Sequence, residues 1–153
     1  KIYNEWLDEN IFSIGFFGKT ANSLAGKDIK LSDRLFLPSS KLRGFESGKV
    51  GPKDGADFIG GNYATSINIA TSLSQILPNS QNTNFSIFFD AANVWGIDYS
   101  SSLSDESKIR SSIGIALDYL TPIGPLSFSL SEPITKGKND ITESFRFNLG
   151  TTF

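Results

Sequence analysis

The chain of 153 residues contains no cysteine and no histidine. The first absence excludes a disulfide framework and zinc sites built on thiolates. The second removes nucleophile–histidine triads and most transition-metal centres. No stretch reaches the roughly 18 consecutive apolar residues of a transmembrane helix. Neither sign of charge dominates: 14 basic and 16 acidic residues leave a net charge of −2, so nothing favours a nucleic-acid partner. The chain opens at Lys1 with neither an initiator methionine nor a secretory leader, and it reads as the tail of a longer one. Gly-rich phosphate loops, paired carboxylates and metal clusters are also lacking; Gly48-x-x-Gly51 is turn chemistry. No enzyme activity, cofactor or metal is expected.

What is present is alternation. In the closing stretch Phe145, Phe147, Leu149, Thr151 and Phe153 share one parity, while Arg146, Asn148, Gly150 and Thr152 share the other. A strand sends alternate side chains to opposite faces, so one face is apolar to the last residue. The pattern recurs upstream. Ile109, Ile113, Ile115, Leu117 and Tyr119 oppose Arg110, Ser112, Gly114, Ala116 and Asp118; Leu126, Phe128 and Leu130 alternate with serines. The spacing predicts strands at 11–24, 58–77, 85–97, 108–120, 125–132 and 143–153, with Pro133 ending or bulging the fifth. Trp6-Leu7-Asp8-Glu9-Asn10 reads as a turn. Between 25 and 57 the period dissolves into Gly, Pro, Lys and Asp. Leu35-Phe36-Leu37 and Leu42-Arg43-Gly44-Phe45 are nonetheless too apolar for a solvated loop, so this segment is expected to be tucked against something.

The fold class is therefore all-β, an antiparallel meander of about six strands, most of them long enough to cross a bilayer at a tilt. Short turns at 78–84 and 121–125 alternate with long loops at 25–57, 98–107 and 135–142, as in outer-membrane barrels. The polar parity carries Ser, Asn, Gly, Ala and Asp, which suits a water-lined lumen. A soluble β-sandwich binding module is the rival from another class, and it needs an apolar, packed inner face.

Several motifs in order carry a family likeness. Leu42-Arg43-Gly44-Phe45, Gly51-Pro52 and Gly60-Gly61-Asn62 resemble the sixth extracellular loop and following strand of BamA-type outer-membrane protein assembly factors, the bacterial surface antigen family. Phe89-Asp90-Ala91-Ala92-Asn93-Val94-Trp95 is similar to a later strand of that family. Arg110-Ser111-Ser112-x-Gly114, Pro122-x-Gly124-Pro125-Leu126 and Phe128-Ser129 are similar to its next hairpin. Phe145-x-Phe147-x-x-Gly150-x-x-Phe153 is similar to its last strand. The likeness covers about 28–153. Two departures stand out: Ala92 where the family has Gly, and Ala70, with Asn68 nearby, where many members carry a lumen-facing Glu.

The resemblance implies the C-terminal part of a 16-stranded transmembrane barrel, within the even-numbered range of such proteins. The early strands and periplasmic POTRA repeats would lie outside these residues. It implies location in the bacterial outer membrane and assembly and insertion of outer-membrane β-barrel proteins, by strand templating at a lateral seam. A related translocation or secretion barrel is the alternative. Implied partners are outer-membrane lipids, unfolded barrel proteins and, through N-terminal domains, accessory assembly lipoproteins.

An unpaired carboxylate within a strand at membrane depth costs several kcal/mol, so Asp90 should face the lumen and have a cation. The residues alone leave two readings open: Arg43 is a solvated loop charge with Asp90 against water, or the two pair. The resemblance favours pairing, with Gly44 turning the loop and Phe45 packing in the lumen. It also assigns Phe145, Phe147, Leu149, Gly150 and Phe153 to the seam and terminal signal. Trp95, Tyr99 and Tyr119 are candidate interfacial aromatics or ordinary strand residues. Arg110 and Asp118, too far apart on one strand face to pair with each other, read as lumen or rim charges, Asp105-Glu106 and Lys136-Gly137-Lys138 as solvated loops, and Arg146 as dispensable for assembly.

Overall fold

The computed structural model describes residues 2–6, 10–24, 28–73, 82–97, 103, 107–122 and 124–150. Seven strands form one antiparallel sheet: β1 (Ile2–Trp6), β2 (Asn10–Thr20), β5 (Tyr63–Ser72), β6 (Thr83–Trp95), β7 (Arg110–Thr121), β8 (Gly124–Thr135) and β9 (Phe145–Leu149). Each pairs with the next in that order, so the sheet is a plain meander. β1 is a strand that the mixed opening residues do not signal by alternation. It includes Trp6, and β2 opens at Asn10, so both ends of the expected turn are strand; Leu7 to Glu9 lie outside the described residues. The segment between β2 and β5 holds a 3₁₀ turn (Leu31–Asp33) and a small hairpin of β3 (Lys53–Asp54) and β4 (Asp57–Phe58).

Strand bounds follow pairing rather than composition. β5 begins at Tyr63, because Phe58 pairs with Lys53 inside the loop instead of extending the strand. Pro133 does not end β8. The strand runs on to Thr135, with the register against β7 shifting between Ser111 and Ser112 beside it. β6 spans 13 residues, so at ~3.3 Å per residue it is roughly 40 Å long. Tilted by ~45° it covers about 28 Å, which matches the ~25 Å apolar band of a membrane barrel.

The two faces are inverted relative to a soluble protein. Phe16, Ile67, Ile113, Leu130, Phe145 and Phe147 stand on the uncovered face, each at least 41 % exposed. The polar parity is the buried one: Ser66, Asp90, Ser112, Ser129 and Ser131 are all at most 9 % exposed. What covers them is the 28–62 segment, whose Leu37, Leu42, Phe45 and Val50 form a core with Ala64, Ala92 and Val94. The small alanines leave room for the loop's larger side chains. A sandwich buries its apolar face against a second sheet, and none lies there among the described residues. An uncovered apolar face of this extent suits lipid.

Candidate functional site

The site is the seat of the loop on the polar face. Register places Asn68, Asp90 and Ser112 side by side on β5, β6 and β7. Even spacing along each strand turns all three toward the loop. The Asp90 side chain is completely buried. Its Oδ2 accepts from Arg43 Nε at 2.7 Å and from the Arg43 backbone N–H at 3.1 Å. Its Oδ1 accepts from Arg43 Nη2 at 2.8 Å and from Asn68 Nδ2 at 2.9 Å. Four donors fill the roughly four lone-pair sites of a carboxylate. The two side-chain bonds from one guanidinium make the forked geometry that lysine cannot reproduce.

The loop backbone is held by the same row. Asn68 Nδ2 donates to the Lys41 carbonyl at 3.0 Å, and the Ser112 hydroxyl donates to the Arg43 carbonyl. The Arg43 guanidinium carbon lies 3.4 Å from the centroid of the Phe88 ring, a cation–π contact. Gly44 then turns the chain at φ +87°, and a Cβ there would lie 3.1 Å from that of Ser112. That left-handed backbone and close approach both call for glycine. Phe45 follows, 1 % exposed in the core.

Structure thus brings Arg43, Gly44, Phe45 and Asp90 together, and adds Asn68, Phe88 and Ser112. Asn68, two residues from Ala70 where the resemblance led one to expect a Glu, serves Asp90 as a neutral donor rather than a second carboxylate. Phe88 had a visible signal, since it is the one large apolar side chain between Ser86 and Asp90 on the polar parity. Ser112 had none.

Arg110, expected as a lumen or rim charge, is 1 % exposed on the polar face, and its Nε donates to Asp140 Oδ2 at 2.9 Å. Gly137 is therefore not part of a solvated loop, for it is buried beside that pair and its N–H donates to Asp140. Arg146, expected to be dispensable for assembly, donates from Nη2 to the Phe45 carbonyl at 2.8 Å and from Nε to Glu143 at 2.8 Å. Asp118, by contrast, accepts a local bond from Ser127 on the adjoining strand.

On β9, Phe145, Phe147 and Leu149 lie on the uncovered face opposite Leu130, Phe128 and Leu126, with the Phe128 and Phe147 rings 5.0 Å apart. Gly150 leaves the sheet at φ +109° while its N–H donates to the Pro125 carbonyl at 2.9 Å. Trp95 stacks on Tyr63 at 5.6 Å, and Tyr119 sits at the other end of the sheet opposite Thr83. Phe153, Tyr99, Asp105 and Glu106 lie outside the described residues. Among the described residues no group of three or more acidic side chains is arranged to hold a metal.

Known proteins share this architecture. The Omp85 superfamily domain matches residues 2–153. The outer membrane protein assembly factor BamA of Neisseria meningitidis serogroup B is 30 % identical over 141 residues, covering 73 % of this chain and 17 % of that protein. BamA of Neorickettsia risticii is 25 % identical over 132 residues, covering 84 % of this chain and 18 % of that protein. The crystal structure of BamA from Haemophilus ducreyi lacking POTRA domains 1–3 superposes with a TM-score of 0.80 at 29 % identity, over 90 % of this chain and 30 % of that one. The chain spans less than a fifth of the length of these two curated relatives.

Proposed function

The chain belongs to the Omp85 superfamily, and from that premise we propose that it serves the assembly and insertion of β-barrel proteins into the outer membrane, as one part of the wall of a larger barrel. It is an outer-membrane β-sheet with one lipid-suited face. The observation that carries the functional reading is the loop latched across the polar face by Arg43 and Asp90. A plain pore wall needs no buried ion pair to hold a loop of this size over its inner surface.

The chemistry would be templating rather than bond breaking. β9 ends the sheet, and its far edge has no partner among the described residues. Such an edge offers a row of backbone donors and acceptors to an incoming strand, which adds by β-augmentation. Among the described residues five of β9 pair with β8, against eleven paired positions between β7 and β8. A last strand held by so few rungs suits one half of a seam along its far edge, and Gly150 would weaken pairing there. Phe145, Phe147 and Leu149 would face lipid, and Phe153 would be the terminal signal read during the chain's own insertion. The remaining strands of a 16-stranded barrel and the periplasmic repeats would be supplied by sequence outside these residues.

The test is reconstitution of the full-length protein in lipid vesicles with an unfolded barrel substrate. Folding is read by heat-modifiable gel mobility. Arg43→Ala should slow substrate folding at least ~tenfold while the protein itself still inserts, since one lost charge-assisted contact is worth about that much. Unchanged folding rates for Arg43→Ala and Asp90→Ala would end this reading. In the same assay Phe153→Ala should lower the amount of protein that reaches the membrane, without slowing the molecules that do.

A further inference from the structure

The connection between β8 and β9 does not cross over as a free loop. After Thr135 the chain turns inward, and residues 141–143 pair with the latched loop as a short extra ladder. The Glu46 N–H donates to the Ile141 carbonyl, the Ile141 N–H to the Lys49 carbonyl and the Glu143 N–H to the Gly44 carbonyl, each at 3.0 Å. Phe45 and Thr142 face one another across this bridge. The last bond back to the wall runs from the Ser131 N–H to the Ser144 carbonyl at 2.8 Å. Above it β8 continues to Thr135 with β7 alone as partner. Pro133, two residues on from Ser131, presents no N–H to that open edge, which blunts it against casual pairing.

Asp140 fastens this lead-in. Its side chain and that of Arg110 are each 1 % exposed. Oδ2 accepts from Arg110 Nε at 2.9 Å and from the Gly137 N–H; Oδ1 accepts from Arg110 Nη2 at 3.3 Å and from the Gly51 N–H at 3.2 Å. Arg110 is fixed in turn, its Nη1 donating to Asn93 Oδ1 at 2.8 Å and to the Lys108 carbonyl at 2.7 Å. One carboxylate therefore joins the wall strand β7, the loop at Gly51 and its own connection at Gly137. A Cβ on Gly137 would meet both Asp140 and Arg110, so the turn closes this tightly only with glycine.

We propose that Asp140 is a positioning residue for the terminal strand: by clamping residues 137–143 onto the loop it fixes where β9 enters the sheet, and so couples the seat of the loop to the register of the seam. The loop stretch that follows Arg43 is bonded on one side to the β5–β7 wall and on the other to the lead-in of β9. Movement of the loop off its seat pulls on 141–143, and a released lead-in lets β9 climb the open edge of β8. A slip of two residues keeps every side chain on its own face, which makes it the slip available.

The proposal stands independently of the assembly reading, because its readouts need no substrate. Hydrogen exchange on the full-length protein in lipid nanodiscs should find 44–51 and 141–143 opening as one unit in the unmutated chain. Asp140→Asn should speed exchange of both segments ~tenfold or more, as expected for one lost charge-assisted contact, with β5 and β6 unchanged. These 153 residues contain no cysteine, so a register can be read in a full-length background freed of any other cysteine. The pair Ser127→Cys with Asn148→Cys, opposite one another in the native ladder, should cross-link in the parent. The shifted pair Ser129→Cys with Asn148→Cys should gain cross-linking only when Asp140→Asn is added. Independent opening of the two segments in the unmutated protein would overturn the coupling. Uniform loosening of every strand, or a register indifferent to Asp140→Asn, would overturn the positioning role.

Discussion

Two buried ion pairs hold the same loop, and they are built in opposite senses. At one, the arginine belongs to the loop and the aspartate to the wall, Arg43 to Asp90; at the other the aspartate belongs to a connection and the arginine to the wall, Asp140 to Arg110. Each carboxylate accepts from four donors. The burial differs. Arg43 keeps 22 % of its side chain exposed over the Phe88 ring, whereas Arg110 keeps 1 %. A buried charge is tolerated when its partner and hydrogen bonds are complete, and the cost of losing one partner rises with how little water can replace it. The lesson is that the better hidden pair should be the more sensitive to truncation, although the other carries the recognisable motif.

The largest expected effect tests that ranking. Asp140→Ala should destabilise the full-length protein by roughly 3–5 kcal/mol, the range for an orphaned buried charge, and Asp90→Ala by the low end of that range. Urea unfolding in detergent micelles measures both, and the reverse order would break the comparison. Next comes coupling. A double-mutant cycle on Arg43 and Asp90 should return an interaction of up to about 3 kcal/mol, because contacting charges are not additive. Strict additivity there would mean that the loop is seated by its apolar residues alone.

Gly44→Ala probes the turn that the first pair depends on. The left-handed backbone costs a side chain about 1–2 kcal/mol, and the approach to Ser112 adds crowding. Its effect should fall on the Arg43 side, read as faster hydrogen exchange at 41–45 with 137–140 unaffected. The smallest effects are those of the neutral helpers. Asn68→Ala and Ser112→Ala each remove bonds worth about 0.5–1.5 kcal/mol apiece. Both should shift the unfolding midpoint less than either aspartate substitution, and a Ser112→Ala loss rivalling that of Asp90→Ala would make the backbone bond, not the ion pair, the main fastening.

Much of the first pair could be read from residues. Asp90 is an acidic side chain in a strand between Phe89 and Ala91, a place where solvation is poor and a cation is required. The second pair had no such mark. Asp140 sits among Lys138, Asn139 and Ile141 in a polar stretch, where an acidic residue is unremarkable. Arg110 was placed correctly on the polar parity, but its partner is 30 residues away in a segment without a period. Arg146 reaches the Phe45 carbonyl across 101 residues, and nothing local to either position foretells that bond.

The sequence by itself determined the meander, the inversion of its faces and the presence of a loop too apolar for solvent. Those properties follow from period-two alternation, which is local and repeats in β5 to β9. The extra strand β1, the reach of β8 past Pro133 and the inward course of 136–144 were decided by tertiary structure. So was the choice of partner for each charge. Ladder bonds and ion pairs are satisfied between residues distant in sequence, and many loop conformations share one composition. Only the one that buries Leu37, Leu42, Phe45 and Val50 against Ala64, Ala92 and Val94 brings Asp140 to Arg110.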